Sequence, residues 1–231
     1  MPFFEDDSYR KCVTEFKNQS KLNSEWEFYI KNDDFTVYRR PAVGRNPDLY
    51  SYKAFGGWKD VNPDTLTNVY LDLEFRKKWD KYMKTHKYFE VNNNGKEYSG
   101  IHFEMNYPWP LSNRDYAYVM ETKLVKERED KYQVILGESL PSGSYPVGKG
   151  IIRIDTYMQN ICITSGNGGQ GCKIALDYFD DPKGNIPKSV INWAAKTAVP
   201  GFINNLKAAC ARYEKERPSS KPLDNTETIE L

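Results

Sequence analysis

Between residues 98 and 180 the apolar side chains alternate with polar ones, and over so long a stretch that pattern commits the chain to a sheet. In "SGIHFEMNY" the residues Ile101, Phe103, Met105 and Tyr107 alternate with Gly100, His102, Glu104 and Asn106, the mark of a half-buried strand. Stretches 115–125, 131–139, 149–164 and 171–180 behave alike, separated by "KERED", "PSGSYPVG" and "SGNGGQG". Connections this short predict antiparallel meander pairing.

Helical spacing flanks this region. "DDSYRKCVTEFKNQSK" (6–21) predicts a short helix opened by acidic and serine caps, and "FTVYRR" (35–40) and "LYSYKAF" (49–55) predict two strands. In "NPDTLTNVYLDLEFRKKWDKYM" Pro63 suits a first helical turn, and Leu66, Val69, Tyr70 and Leu73 keep i, i+3, i+4, i+7 spacing. Near the C-terminus Ile191, Ala195, Ala198, Phe202, Leu206, Ala209 and Tyr213 share one side of a long helix, which Pro200-Gly201 is expected to kink or break. Residues 1–215 then form one α+β domain with a curved antiparallel sheet around the terminal helix, and 216–231 form a polar, disordered tail. A sheet curved around a helix leaves room between them.

Charge and composition exclude several function classes. Lys and Arg number 33 against 32 Asp and Glu, which gives no electrostatic basis for nucleic-acid binding. The four cysteines, Cys12, Cys162, Cys172 and Cys210, lie far apart without a C-x-x-C pair, and no secretory leader is apparent, so reduced thiols in the cytoplasm are expected. No apolar run approaches the ~20 residues that cross a bilayer, so any membrane role is peripheral. Catalytic chemistry is sparse. His86 and His102 have no metal-ligand spacing and read as surface histidines. "GNGGQG" matches G-x-G-x-x-G yet leads into a strand, where a dinucleotide site needs a helix N-terminus, so it reads as a hairpin turn. Asp180-Asp181 before Pro-Lys-Gly reads as turn capping and solubility. Catalytic residues, metal and cofactor are all expected to be none.

Two features remain. Seventeen tyrosines, eleven phenylalanines and five tryptophans suit a cavity wall that touches both acyl chains and a polar group. At ~100° per residue Val69, Leu73, Arg76 and Asp80 fall within ~60° of one another, so an arginine and an aspartate continue an apolar stripe. A buried cation needs a counter-charge, and Asp80 one turn on can provide it.

With "VYLDLEFRKKWDKY" (69–82), "YPWPLSNRDYAY" (107–118), "IRIDTYMQN" (152–160) and "IPKSVINWAAKTAVPGF" (186–202), the chain from about residue 8 to 215 resembles a START lipid-transfer domain. The resemblance implies a helix-grip fold, a curved antiparallel sheet gripping a long C-terminal helix over a lipid tunnel, and a function in binding one phospholipid and transferring it between membranes. In phosphatidylcholine-binding members the arginine matched by Arg76 meets the lipid phosphate, for which a guanidinium is well shaped. Asp80 would hold that arginine, and Tyr70 and Gln159 would contact the same part of the lipid. Phe103, Tyr116 and Tyr157 match an aromatic cage for choline, whose quaternary ammonium is recognised by ring faces. Where those members have tryptophan, this chain has Phe103, a weaker partner, so mixed choline and ethanolamine use is an alternative.

The final helix would be a membrane-contacting lid through Trp193, Val199, Pro200 and Phe202. Its segment 188–217 carries six basic residues against two acidic ones beside an apolar face. The expected partners are a phospholipid and a transient membrane surface, for a monomer that is cytoplasmic and peripheral at membranes. One rival is a lipid sensor whose loaded form is read by a partner protein; another is an enzyme dependent on His102 or Asp155. A sterol or ceramide carrier is disfavoured, because Arg76 would lack a phosphate.

Overall fold

The computed structural model describes residues 3–42, 49–93, 95–184, 186–216 and 226–231. Asp6 and Asp7 lie in the first turn of α1 (Asp6–Lys17) and Lys17 in its last, each suited to the helix dipole. Tyr9, Val13 and Phe16 recur at helical spacing and are buried, which commits one face of α1 to the sheet. Three strands follow, β1 (Glu27–Lys31), β2 (Phe35–Pro41) and β3 (Tyr50–Trp58). Only two were expected from the sequence; β1 has no fully buried residue, so no alternation marks it.

Asn62 caps α2 (Pro63–Leu71), its Oδ1 accepting from the Asp64 amide at 2.8 Å and the Thr65 amide at 3.3 Å. The helix expected to run on to residue 83 instead stops at Leu71. Asp72 leaves helical geometry at φ −78°, ψ 87°, and its carboxylate accepts from the Phe75 amide at 2.8 Å to open α3 (Leu73–Arg76). The aspartate's local cap competes with continuation of the helix and wins. Beyond Arg76 the chain turns, yet the Asp80 amide still donates to the Arg76 carbonyl at 2.8 Å. The i, i+4 spacing that aligns the two side chains therefore survives.

The next strands are β4 (Met83–Asn93), β5 (Lys96–Met105), β6 (Arg114–Glu127), β7 (Asp130–Ser139), β8 (Ile152–Ile154), β9 (Tyr157–Ser165) and β10 (Cys172–Asp180). The stretch 149–164, read as one strand, divides at Asp155 and Thr156: β8 runs parallel to β6, while β9 pairs antiparallel with β7. The glycine-rich segment is a turn joining β9 to β10, with the Gly166 amide donating to the Gly171 carbonyl at 3.0 Å. Strand order is β1-β2-β3-β10-β9-β7-β6-β5-β4. One face takes α1 over Val125, Val134, Leu136 and Cys162. The opposite, concave face takes α2, α3 and the C-terminal helix over Ile135, Ile161, Ile163 and Ile174.

That helical run comprises α4 (Lys188–Trp193), a π-helical turn at Ala194–Ala198 and α5 (Val199–Glu216). Of the kink or break expected at Pro200-Gly201 there is no break: Pro200 has no amide hydrogen to offer the preceding turn, and the chain widens there into the π-turn. Leu206, Ala209, Cys210 and Tyr213 form the buried stripe of α5. The expected disordered tail is corrected at its far end. Residues 217–225 lie outside those described, but β11 (Glu227–Glu230) pairs in parallel with Lys123–Lys126 of β6. Ile229 is buried against the α1 cluster, and Lys123 Nζ bridges Asp6 at 2.7 Å and Glu227 at 2.8 Å.

Candidate functional site

The site forms where the end of α3 meets the concave face. Arg76 Nε donates to Asp80 Oδ2 at 3.0 Å, with the Arg76 side chain 13% exposed and that of Asp80 2%. The other carboxylate oxygen accepts from the Tyr82 amide at 3.0 Å, which fixes the aspartate in place. Four rings surround the guanidinium, with centroids 5.4 Å (Tyr70), 5.8 Å (Trp79), 5.1 Å (Phe103) and 5.3 Å (Phe202) from its central carbon. Burial alone would lower the Arg76 pKa; Tyr70, Asp80 and Tyr118 outweigh it and hold the group above its ordinary value. Arg76 is thus a permanent cation inside the fold.

Tyr70 Oη donates to Gln159 Oε1 at 2.6 Å. Burial raises the Tyr70 hydroxyl, while Arg76 and the Gln159 bond draw it back down. The Gln159 amide nitrogen is buried without a partner among the described residues. An amide donor left unpaired inside a protein is unfavourable unless something else accepts from it.

The three residues expected to form a choline cage lie beside this group. The Tyr116 ring lies 5.3 Å from Tyr157 and 6.5 Å from Phe103, both edge-on. Gly137 leaves space at this point, since a Cβ there would stand 3.4 Å from the Tyr157 hydroxyl. Tyr70, Tyr157, Tyr178 and Asp180 are each half-buried. Of the lid residues, Val199 is 47% exposed. Pro200 is half-buried, and the Trp193 side chain lies outside the described residues. Phe202 corrects the sequence reading: it turns inward onto Arg76 and the Trp79 ring, 5.5 Å away, because one face of α5 closes over the site.

Sequence reasoning missed Tyr118, Tyr178 and Asp180. The Tyr118 and Tyr178 rings lie 5.3 Å and 6.0 Å from Tyr157. Asp180, expected at a solvated turn, accepts from Tyr116 Oη at 2.8 Å inside the tyrosine cluster. Its signal was present in "CKIALDYFD", where Ile174, Leu176, Tyr178 and Asp180 occupy alternate positions of one strand face.

The histidines also need correction. The His86 side chain is only 4% exposed, with Nε2 3.1 Å from Glu74. His102 is buried on the strand face opposite Phe103, its Nε2 3.0 Å from Asp115 Oδ2 and its ring stacked on Tyr145 at 4.4 Å. Arg153 bonds both oxygens of the same aspartate at 2.8 Å, so this cluster braces the 140–151 connection and faces away from the tyrosines.

A curved antiparallel sheet closed over by a C-terminal helix defines the helix-grip class. The chain belongs to the START domain family, which it matches over residues 10–216. It is 37% identical over 215 residues to the phosphatidylcholine transfer protein of Bos taurus, covering 92% of this chain and 96% of that protein. The Homo sapiens phosphatidylcholine transfer protein is 33% identical over 213 residues, with the same coverage of 92% and 96%. Among solved structures, human STARD10 superposes with a TM-score of 0.72 at 22% identity, covering 100% of this chain and 93% of that one. Human StAR-related lipid transfer protein 5 gives 0.69 at 13%, covering 90% and 97%.

Proposed function

We propose that this chain binds a single phospholipid, phosphatidylcholine, between the sheet and α5 and carries it between membranes. The observation that carries the reading is Arg76: an enclosed cation bonded to Asp80 through Nε, beside the unpartnered Gln159 amide. A lipid phosphodiester would accept from the guanidinium Nη groups and from that amide, satisfying both. Tyr116 and Tyr157, with Phe103, then receive the choline ammonium on their ring faces. The similarity to phosphatidylcholine transfer proteins supports the same reading. Lipid exchange needs α5 to move, and the π-turn before Pro200 is where its hydrogen bonding is already irregular. Among the described residues no helix is long and apolar enough to cross a membrane, so contact with the bilayer is peripheral in this reading.

The test is native mass spectrometry after mixing with vesicles of phosphatidylcholine, phosphatidylethanolamine, ceramide and sterol. One phosphatidylcholine per chain, lost in Arg76→Ala, is the expected result. Binding indifferent to Arg76 would remove the phosphate assignment. Equal competition from ethanolamine lipid would favour the relaxed head-group alternative, which the contact of Phe103 with Arg76 makes specific: that ring already serves the protein's own cation.

A further inference from the structure

Asp180 ends β10 directly opposite Tyr157 of β9. Its carboxylate is held by the hydroxyls of Tyr116, at 2.8 Å, and Tyr178, both neutral donors. The basic groups near this corner are engaged elsewhere. Arg114 gives its guanidinium to the backbone carbonyls of Ser112 (2.6 Å), Pro182 (3.1 Å) and Lys183 (3.2 Å). Lys183 pairs with Asp155 at 2.9 Å and with Asp181 at 3.2 Å. No lysine or arginine forms an ion pair with Asp180 among the described residues. Burial raises its pKa, the two tyrosine hydroxyls oppose that, and Asp181 adds to it. A carboxylate placed inside a protein without a cation is unfavourable, and a site that keeps one has a use for its charge.

The position suggests the use. Gln159, at the phosphate end, and Tyr157 stand two residues apart on one strand face, about 7 Å, and Asp180 lies across from Tyr157 on the next strand. Passing along the site, the permanent positive charge at Arg76 is followed by rings and then by the Asp180 carboxylate. A phospholipid with phosphate followed by an amine presents the opposite sequence of charges. We propose that Asp180 supplies the counter-charge for the head-group ammonium, making the chain selective for amine-bearing phospholipids over those with an uncharged head group. This rests on the phospholipid reading and adds its head-group selection. Choline, which cannot donate an N–H bond, is attracted through its charge, and ethanolamine can also donate to the carboxylate. Asp180 is thus a specificity residue.

The test compares uptake of dioleoyl phosphatidylcholine with dioleoyl phosphatidylglycerol, which keeps the phosphodiester and chains but has no amine, read by native mass spectrometry of chains incubated with mixed vesicles. In Asp180→Asn, which keeps one carbonyl oxygen as an acceptor for the tyrosine hydroxyls, the choline-to-glycerol preference is expected to fall about tenfold or more, and Asp180→Glu is expected to recover part of it. A preference unchanged in Asp180→Asn overturns the proposal, and Asp180→Ala gives the same readout should the asparagine variant fail to fold. Arg76→Ala in the same series separates the two readings: loss of both lipids upholds the phosphate anchor whatever Asp180 does. If wild type takes up neither lipid, the phospholipid reading falls and this inference with it.

Discussion

Arg76 Nε donates to Asp80 Oδ2 at 3.0 Å across one helical turn, and the aspartate is almost wholly withdrawn from solvent. An ion pair at this depth adds little to stability compared with an apolar pair of the same shape, because both partners lose their hydration. Its value is positional: it fixes through Nε the orientation of a guanidinium that also reaches the Tyr70 hydroxyl.

Asp80→Ala leaves that cation without its counter-charge. The lipid-free chain is expected to lose about 3 kcal/mol of unfolding free energy, and a bound phosphate should restore part of it. Urea unfolding with and without loaded phosphatidylcholine checks this; an equal loss in both states would mean that the lipid phosphate does not reach Arg76.

Asp180 makes stability depend on pH in a calculable direction. Its pKa is raised by burial, against the pull of Tyr116 and Tyr178 and with the push of Asp181. The folded chain therefore holds a proton over a range where the unfolded chain has lost it. The stabilising contribution is full below the ordinary aspartate value and disappears as pH rises through the raised one. Asp180→Asn should melt higher than wild type at neutral pH, with the difference closing on acidification. Melting curves from pH 4 to 7.5 would show it, and parallel profiles for the two proteins would count against it.

Phe103→Trp enlarges the ring next to both Arg76 and Tyr116. Tryptophan is the stronger cation–π partner, so preference for choline over ethanolamine lipid should rise by about 1 kcal/mol, roughly fivefold. Competition between the two lipids in mixed vesicles measures the ratio.

A Cβ at Gly201 would meet nothing within 4 Å. Gly201→Ala should therefore stiffen α5 by about 0.5–1 kcal/mol without a clash. If this helix opens for lipid exchange, the variant transfers lipid more slowly between vesicles while its occupancy at equilibrium is unchanged. Transfer at the wild-type rate would locate the opening elsewhere.

Much of this architecture is legible in the residues because one force dominates locally. Strands β5, β6, β7, β9 and β10 send successive side chains to opposite faces, so each face has its own period-two set of residues; in β7 and β9 both sets are apolar, with Ile135, Ile161 and Ile163 on one side and Val134, Leu136 and Cys162 on the other. Arg76 and Asp80 were visible as charges on an apolar stripe, a conflict that only a partnered interior position resolves. The misses have different causes. The break at Asp72 came from a side-chain cap that competes with the helix at no change of hydrophobic pattern. β11 pairs with the distant β6 and buries Ile229, which short-range periodicity cannot report. Asp180 was hidden by its neighbour: Asp181 does cap the turn, its Oδ1 accepting from the Lys183 amide at 2.9 Å, and the pair was read as a unit although alternation sends the two carboxylates to opposite faces.

The pairing of β3 with β10, which sets Trp58 opposite Cys172 and Tyr52 opposite Tyr178, also has a consequence for synthesis. A nascent chain that has not reached residue 172 has made β1, β2 and β3 but not the strand that joins them to the rest of the sheet. Until then β3 is an open edge, rich in aromatic residues and able to pair with other chains. Contacts between such distant segments form slowly, because the loop between them must close first. Mutations that delay this closure should lower the yield of folded protein through aggregation, even where the finished molecule is no less stable.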